Sequence, residues 1–512
     1  MFRRICPVAL LTLLWLAIGA VFASATPAFA AEYSLDFDAA SFSIESATVG
    51  EQTVTYRAYK NLVYVQHPVD TTYQNLNLYV PVEYFAGKSI GAYTAKTAPI
   101  FLPNTIGGYM PALPGTPGLD RDGKPNAALT ALAHGYVVAE PGARGRTTQS
   151  ESGNYTGKAP AAIVDLKAAV RYLRHNAARI PGDSEKIISN GTSAGGALSA
   201  LLGATGNSGD YTKELTQLGA ANERDDIFAA SCYCPITDLE HADMAYEWLF
   251  NGINDYKKMT FSGGAMPSPG QQPIMLPPPT DLPKPLEISG QMTAEQIQLS
   301  NELKPLFPAY LNGLQLTDSG KPLKLDADGN GSFKEYVKAF VMASAQTALN
   351  QGSDLSDFAW LTVQNGRVTA LDFDAYLRYA GRMKTTPAFD DVALGSGENS
   401  LFGTASVNAQ HFSEFAAKRS TVGGTLAEPS LIRQMNPLSY IGQSTASTAH
   451  YWRIRHGSLD RDTSLAVPVI LATKLRNHGA SVDFALPWGK SHSGDYDLPE
   501  LFAWVDQICQ TK

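Results

Sequence analysis

Three short segments carry residue types that together could make an acyl-transfer centre. Gly191-Thr192-Ser193-Ala194-Gly195 is a G-x-S-x-G sequence placed directly after a β-rich run, Lys186–Asn190, and directly before an Ala/Leu-rich run, Ala194–Leu202. In that setting it reads as a nucleophile elbow, a tight strand-to-helix turn whose small neighbours leave the serine oxygen exposed at the carboxyl end of a sheet. Arg455-His456-Gly457-Ser458-Leu459-Asp460 closes a strand that begins at Trp452 and offers Asp460 as the acid. Catalytic groups gather at such strand ends. Asp462 competes for the role, although it and Thr463 also suit capping of the helix that follows. Lys490-Ser491-His492-Ser493-Gly494 comes just after the last strand, and His492 is the only histidine beyond it. Ser, Asp and His therefore run along the chain in the order that a nucleophile-elbow hydrolase requires.

If the three meet, His492 takes the proton of the Ser193 hydroxyl, while Asp460 fixes the imidazole tautomer and stabilises the imidazolium. Attack on an ester carbonyl then gives a tetrahedral oxyanion, which needs two N–H donors. The amide of Ala194 supplies one by the geometry of the elbow. The other is expected from the loop after Pro99–Asn104, where Ile106-Gly107-Gly108-Tyr109 offers backbone without side-chain obstruction; Gly107 is taken ahead of Gly108.

Elements able to position these groups alternate at both ends of the chain. Thr53–Gln66, Leu76–Val82, Pro99–Asn104, Tyr136–Pro141, Lys186–Asn190, Ala229–Pro235, Trp452–Gly457 and Val482–Pro487 are rich in Val, Ile, Tyr and Phe and read as strands. Ala161–Ile180 sets Ile163, Leu166, Val170 and Leu173 at helical spacing, and Leu465–Asn477 repeats the habit with Val469, Ala472 and Leu475. The fold class this implies is α/β, a doubly wound and mostly parallel sheet covered on both faces. The early strands leave no room for a helix between them, so the sheet should start antiparallel.

Between about Asp238 and Arg433 the alternation stops. Pro267 to Pro285 includes Pro277-Pro278-Pro279 and reads as an extended connector. After it, Ala294–Leu306 and Lys334–Asn350 are expected helices, and Phe358–Leu371 a hairpin turning at Asn365-Gly366. The expected organisation is a hydrolase core of residues 31–237 and 434–512 with residues 238–433 inserted as a lid domain. Asp326-Ala327-Asp328-Gly329-Asn330-Gly331 resembles the start of a calcium loop, yet its twelfth position is Val337 rather than Glu. A structural calcium near Asp326, Asp328 and Asn330 and a plain polar turn both stay open.

The 512 residues are 44% hydrophobic and 17% charged, which excludes a disordered chain. Lys+Arg 40 against Asp+Glu 48 gives −8, the wrong sign for a protein held to nucleic acid or anionic membrane by its overall field. Residues 1–30 look like an export signal: Arg3 and Arg4, an apolar run from Val8 to Phe22, then Ala28-Phe29-Ala30 as cleavage site. The expected product is secreted or periplasmic, with 38 basic and 48 acidic residues and a charge of −10 once the two arginines are removed. No later stretch approaches a membrane span. Cys232, Cys234 and Cys509 remain after Cys6 is lost, and either a Cys509 disulfide with one of the pair or buried free thiols is compatible with the spacing. With no C-x-x-C and no H-E-x-x-H, no metal site and no required cofactor are expected at the chemistry.

Asn190-Gly191-Thr192-Ser193-Ala194-Gly195-Gly196, the run Trp452 to Ser464 and the run Asp483 to Tyr496 resemble the bacterial tannases, tannin acyl hydrolases of the α/β-hydrolase fold. The similarity extends over most of the mature chain, including Arg382-Met383-Lys384-Thr385 and Glu398-Asn399-Ser400-Leu401-Phe402-Gly403. The resemblance implies hydrolysis of galloyl and related phenolic esters with release of gallate. It further implies that Lys384, Glu398 and Asp462 hold the ring hydroxyls, a job that an ammonium and two carboxylates suit. Taken without it, Lys384 and Glu398 read as solvated surface charges.

The expected partner is a small-molecule or polyphenol ester, with no nucleic acid and no membrane; the oligomeric state is open. A feruloyl or chlorogenate esterase of the same lineage would keep Ser193, Asp460 and His492. A secreted peptidase of the fold often brings a repeat domain, and no period is visible.

Overall fold

The apolar runs pair into a nine-stranded sheet. In chain order its strands are β1 (Ser43–Val49), β2 (Gln52–Val63), β3 (Asn75–Pro81), β4 (Pro99–Pro103), β5 (Val137–Pro141), β6 (Asp183–Thr192), β7 (Ala229–Tyr233), β8 (Tyr451–Arg455) and β9 (Ser481–Ala485), laid side by side as β1-β2-β3-β5-β4-β6-β7-β8-β9. The structure is a computed structural model that describes residues 32–120, 122–260 and 286–510. From β1 to β5 the neighbours pair antiparallel, and from β5 to β9 they pair parallel. The antiparallel start anticipated from the short connections is present. This is the α/β-hydrolase fold.

Every residue of β3, β4, β5 and β7 is buried, as a sheet covered on both faces demands. The covering helices that matter for the site are α1 (Ala161–His175), α2 (Ala194–Ala204), α3 (Leu239–Phe250), α4 (Ser332–Asn350), α5 (Gly397–Leu401), α6 (Ala466–Asn477) and α7 (Leu498–Gln510). α1 is buried almost all round, including Asp165 and Lys167. Both charges are paired, Asp165 with Arg144 at 2.8 Å and Lys167 with Asp225 at 2.7 Å.

Register decides what meets at the carboxyl ends of the strands. Thr192 lies opposite Tyr233, Tyr233 opposite Arg455, and Arg455 opposite Ala485. Four adjacent strands thus finish level, and the residues that follow them emerge side by side.

Sequence patterning missed β1, whose residues are only half-buried or exposed and include Ser, Glu and Thr. It is held by a tight hairpin in which Val49 faces Gln52 and Gly50 takes φ +60°, a conformation glycine adopts freely. Between β7 and β8 no described residue joins the large sheet. That stretch forms its own ribbon of Asp255–Thr260 against Leu286–Gln291, and the expected hairpin, Leu361–Gln364 with Arg367–Leu371. Asn365 and Gly366 both have positive φ, the two-residue turn that suits a hairpin's twist. The Pro-rich connector and the export signal lie outside the described residues. No helix among the described residues is long and apolar enough to cross a membrane.

One expectation about side chains is resolved. Cys232, Cys234 and Cys509 are free and buried, so the disulfide alternative is corrected: Cys234 turns instead toward His492. At the candidate calcium loop, Asp326 accepts from the N–H groups of Asp328 and Asn330 at 3.0 and 2.9 Å, and Asn330 accepts from Lys334 Nζ at 3.1 Å. These bonds shape the loop that leads into α4.

Candidate active site

The elbow is built from close approaches that only glycine allows. Ser193 sits at φ 60°, ψ −121°, between β6 and α2, a backbone state that a serine holds only under constraint. A Cβ on Gly191 would lie 2.3 Å from the Gly195 carbonyl, and one on Gly195 would lie 2.5 Å from Asn104 Oδ1. Asn104, just after β4, braces the turn by donating to the Asn190 and Gly195 carbonyls at 3.1 and 3.2 Å. The Ser193 N–H donates to the Tyr233 carbonyl at 3.0 Å.

The loop after β9 presses on this turn. A Cβ on Gly494 would lie 1.8 Å from Thr192 Oγ1, so that glycine sets how near His492 can come. His492 Nε2 is 2.8 Å from Ser193 Oγ, and His492 Nδ1 is 2.8 Å from Asp460 Oδ2. Asp460, not Asp462, is the residue aligned behind the imidazole, and its other oxygen accepts from the Asp462 N–H at 2.9 Å. Burial alone would raise the Asp460 carboxyl, but the neighbouring imidazoles of His456 and His492 hold it below its ordinary value. Burial likewise disfavours a charge on His492; the Asp460 carboxylate overrides this and raises the ring above the usual histidine range.

Two neighbours went unassigned in the sequence. Cys234 Sγ lies 4.0 Å from His492 Nε2 and 3.5 Å from the Ser493 carbonyl. His456 Nδ1 lies 3.6 Å from Asp460 Oδ2, in a position without solvent exposure. Both follow immediately after the level strand ends, Cys234 after Tyr233 and His456 after Arg455. That register was the signal that could have found them.

Ala194 opens α2, and its N–H is among those a helix leaves without an intrahelical acceptor. Gly107 and Gly108 lie on the turn after β4, where the Gly107 carbonyl accepts from Met110 N–H at 2.9 Å and Gly108 takes φ +53°. Arg146 pins that turn, its Nε donating to the Gly108 carbonyl at 2.9 Å.

Lys384, Glu398 and Asp462 converge beside this centre. Lys384 Nζ is 3.1 Å from Asp462 Oδ1, which is 3.9 Å from His492 Nε2. Burial opposes the Lys384 charge, but Asp462 and Glu398 outweigh it and raise the ammonium above its ordinary value. Glu398 is raised by burial, with Lys384 pulling the other way. Neither Lys384 nor Glu398 is the solvated surface charge that the residues alone suggested. Tyr246 on α3 sets Lys384 in place: its hydroxyl accepts from the Lys384 N–H at 3.0 Å and donates to the Arg461 carbonyl at 2.9 Å.

Glu398 rides on α5, a helix of one turn that could not stand alone. Ser396 and Asn399 cap it reciprocally. Asn399 Nδ2 then donates to the fully buried Asp390 at 2.7 Å, which also accepts from His411 Nδ1 at 2.7 Å and from the N–H groups of Phe412 and Ser413. From the other side Lys158 Nζ reaches Ser400 Oγ at 3.1 Å.

Among the described residues a second cluster of possible metal ligands is Asp238, Glu240 and His241. Asn436 Nδ2 donates to the Asp238 and Glu240 carboxylates at 2.8 Å each.

No curated protein matches the chain. The BD-FAE family model, a feruloyl-esterase-like α/β-hydrolase domain, matches residues 120–265, the stretch holding the elbow and Cys234. Among solved structures, the tannase of Fusobacterium nucleatum is 50% identical, with a TM-score of 0.87 over 94% of this chain and 100% of its own. A tannase from Lactobacillus plantarum is 49% identical, with a TM-score of 0.88 over 93% of this chain and 100% of its own. A tannin acyl hydrolase in complex with ethyl gallate is 49% identical, with a TM-score of 0.85 over 93% of this chain and 99% of its own. With half of all positions shared over nearly its whole length, the chain belongs to the tannase family.

Proposed function

We propose that this protein is a serine carboxylic ester hydrolase that cleaves galloyl and related phenolic esters and releases gallate. The observation that carries the reading is the meeting of two groups: a Ser193-His492-Asp460 relay and, on the same side of His492, a Lys384-Asp462 pair with Glu398 near it. The relatives are tannases, and one of them is complexed with ethyl gallate.

In this mechanism His492 Nε2 removes the Ser193 proton as Oγ attacks the ester carbonyl. The imidazolium is held by Asp460, and the oxyanion is met by the N–H of Ala194 and one from the Gly107-Gly108 turn. Collapse expels the alcohol, which takes its proton from His492 and leaves a galloyl-serine ester. A water, deprotonated by the same imidazole, then attacks that ester and frees gallate and Ser193. Lys384, Glu398 and Asp462 bind the ring hydroxyls throughout, so a ring lacking them leaves buried polar groups unpaired. An exported location, after cleavage near Ala30, suits a substrate derived from plant polymers.

The BD-FAE match favours a second reading, a feruloyl esterase using the same relay. Gallate release from methyl gallate and tannic acid, measured beside hydrolysis of methyl ferulate with Ser193→Ala as control, separates the two. Faster turnover of the ferulate ester would overturn the galloyl assignment.

A further inference from the structure

His456 stands against the triad acid, and the mechanism above leaves it without a role. Its backbone is fixed by the sheet, with the N–H donating to the Ala485 carbonyl at 3.2 Å. Its ring is completely buried, and Nδ1 lies 3.6 Å from Asp460 Oδ2, the same oxygen that His492 Nδ1 contacts at 2.8 Å. Neither ring nitrogen of His456 makes a hydrogen bond to a side chain, and the Thr463 backbone lies beside the ring. A buried imidazole whose nitrogens make no hydrogen bond to a side chain is an expensive way to fill space that an apolar side chain could fill.

Burial keeps the His456 ring below the usual histidine range, with Asp460 opposing, so the ring is neutral and carries one N–H. With the proton on Nδ1 the N–H faces Oδ2; with it on Nε2 a lone pair would face a carboxylate. Asp460 Oδ1 is already taken by the Asp462 N–H, so Oδ2 is the oxygen left to moderate. Moderation matters, because a base whose proton is held too tightly by its acid partner cannot accept one from serine.

Resting on the acyl-transfer reading, we propose that His456 is a positioning residue for the reaction: its Nδ1–H leans on Asp460 Oδ2, competes with His492 for that oxygen, and keeps His492 available as a base. The titratable groups facing His456 are Asp460, His492 and Asp462; Tyr376 faces Asp460 from another side, and the Cys234 thiol faces His492. All of them stay in place when His456 alone is changed.

The test compares the acid limb of kcat/KM on methyl gallate for the full chain, His456→Leu and His456→Asn. Leu removes the donor, so Asp460 binds the His492 proton more strongly, and the midpoint moves up by about half a pH unit or more. Asn sets its amide nitrogen where Nδ1 was and returns the midpoint to that of the parent. A lower rate in His456→Leu with an unmoved midpoint, or equal shifts in both variants, overturns the proposal and leaves His456 as packing. Nitrogen-15 spectra of the parent, with the His456 resonances identified by their loss in His456→Asn, decide the matter even where the Leu variant does not fold. A neutral ring protonated on Nδ1 is expected, and one protonated on Nε2 overturns the proposal. If the parent does not hydrolyse methyl gallate, the functional reading fails, while these spectra still report on the contact.

Discussion

Ser193, Cys234 and His456 leave strand ends that hydrogen bonds hold level, and Asp460 follows four residues later on a short loop. Lys384 and Glu398 leave no strand. Lys384 is held through the Tyr246 hydroxyl, and Glu398 through a single-turn helix tied by Asn399 and Asp390. One region is thus placed by backbone ladders, which tolerate many side chains, and the other by individual polar side chains, each of which matters. The groups proposed to react belong to the first and the proposed ring-binding groups mostly to the second. Asp462 is the hinge between them, two residues past Asp460 in the chain and 3.1 Å from Lys384 in space.

Substitutions should therefore fall into two families. Ser193→Ala removes the nucleophile and should lower kcat on every ester by roughly 10⁴-fold to 10⁶-fold, with an unchanged circular dichroism spectrum. Residual turnover near the parent rate would break the placement of chemistry on the sheet edge. Asp460→Asn should follow at about 10⁴-fold, because the amide favours the wrong imidazole tautomer. In the covering region the losses should depend on substrate. Glu398→Ala should reduce kcat/KM on methyl gallate by roughly 100-fold and hardly touch a butyrate ester, since only the hydroxylated ring needs that carboxylate. Equal losses on both esters would erase the distinction between the regions. Asn399→Ala, one step removed, should cost about tenfold on gallate esters alone, the loss of one hydrogen bond to a buried charge.

The same division explains what could be read from the chain. The meeting of Ser193, Asp460 and His492 was legible because G-x-S-x-G, the last histidine and an aspartate after a strand are local signals that the sheet brings together. Strand and helix spans followed from Val/Ile-rich runs and helical spacing, and the polar edge strand β1 escaped because it buries too little to show a pattern. Lys384 and Glu398 gave no such signal. What holds their backbone in place is Tyr246, Asn399, Asp390 and His411, polar residues scattered over more than 160 positions, and their pairing is a property of the folded chain. Only family resemblance singled out the two charges. His456 was quoted as part of a strand-closing segment but had no role until register set it beside Asp460.

Asp243 offers the finest probe of the covering region. It is fully within the protein on α3 and accepts from the N–H groups of Phe389 and Asp390 at 2.8 and 3.0 Å, close to the Asp390 carboxylate that anchors α5. Burial and then the Asp390 charge push its carboxyl up to about 7, far above an unfolded aspartate. The folded state therefore binds a proton that the unfolded chain has already released, and the stability this gives is present at acid pH and lost as pH rises toward and through about 7. Asp243→Asn carries no such charge, so its melting temperature should decline less over that interval, by roughly 2–4 °C relative to the parent. On the sheet edge Asp460 is shifted the opposite way, held low by its imidazoles, and contributes stability that is lost on acidification instead. Parallel melting curves of Asp243→Asn and the parent across this range would test whether the covering region loosens on the alkaline side while the relay stays whole. If the two curves coincide, the buried carboxylate pair does not govern how firmly Glu398 is held.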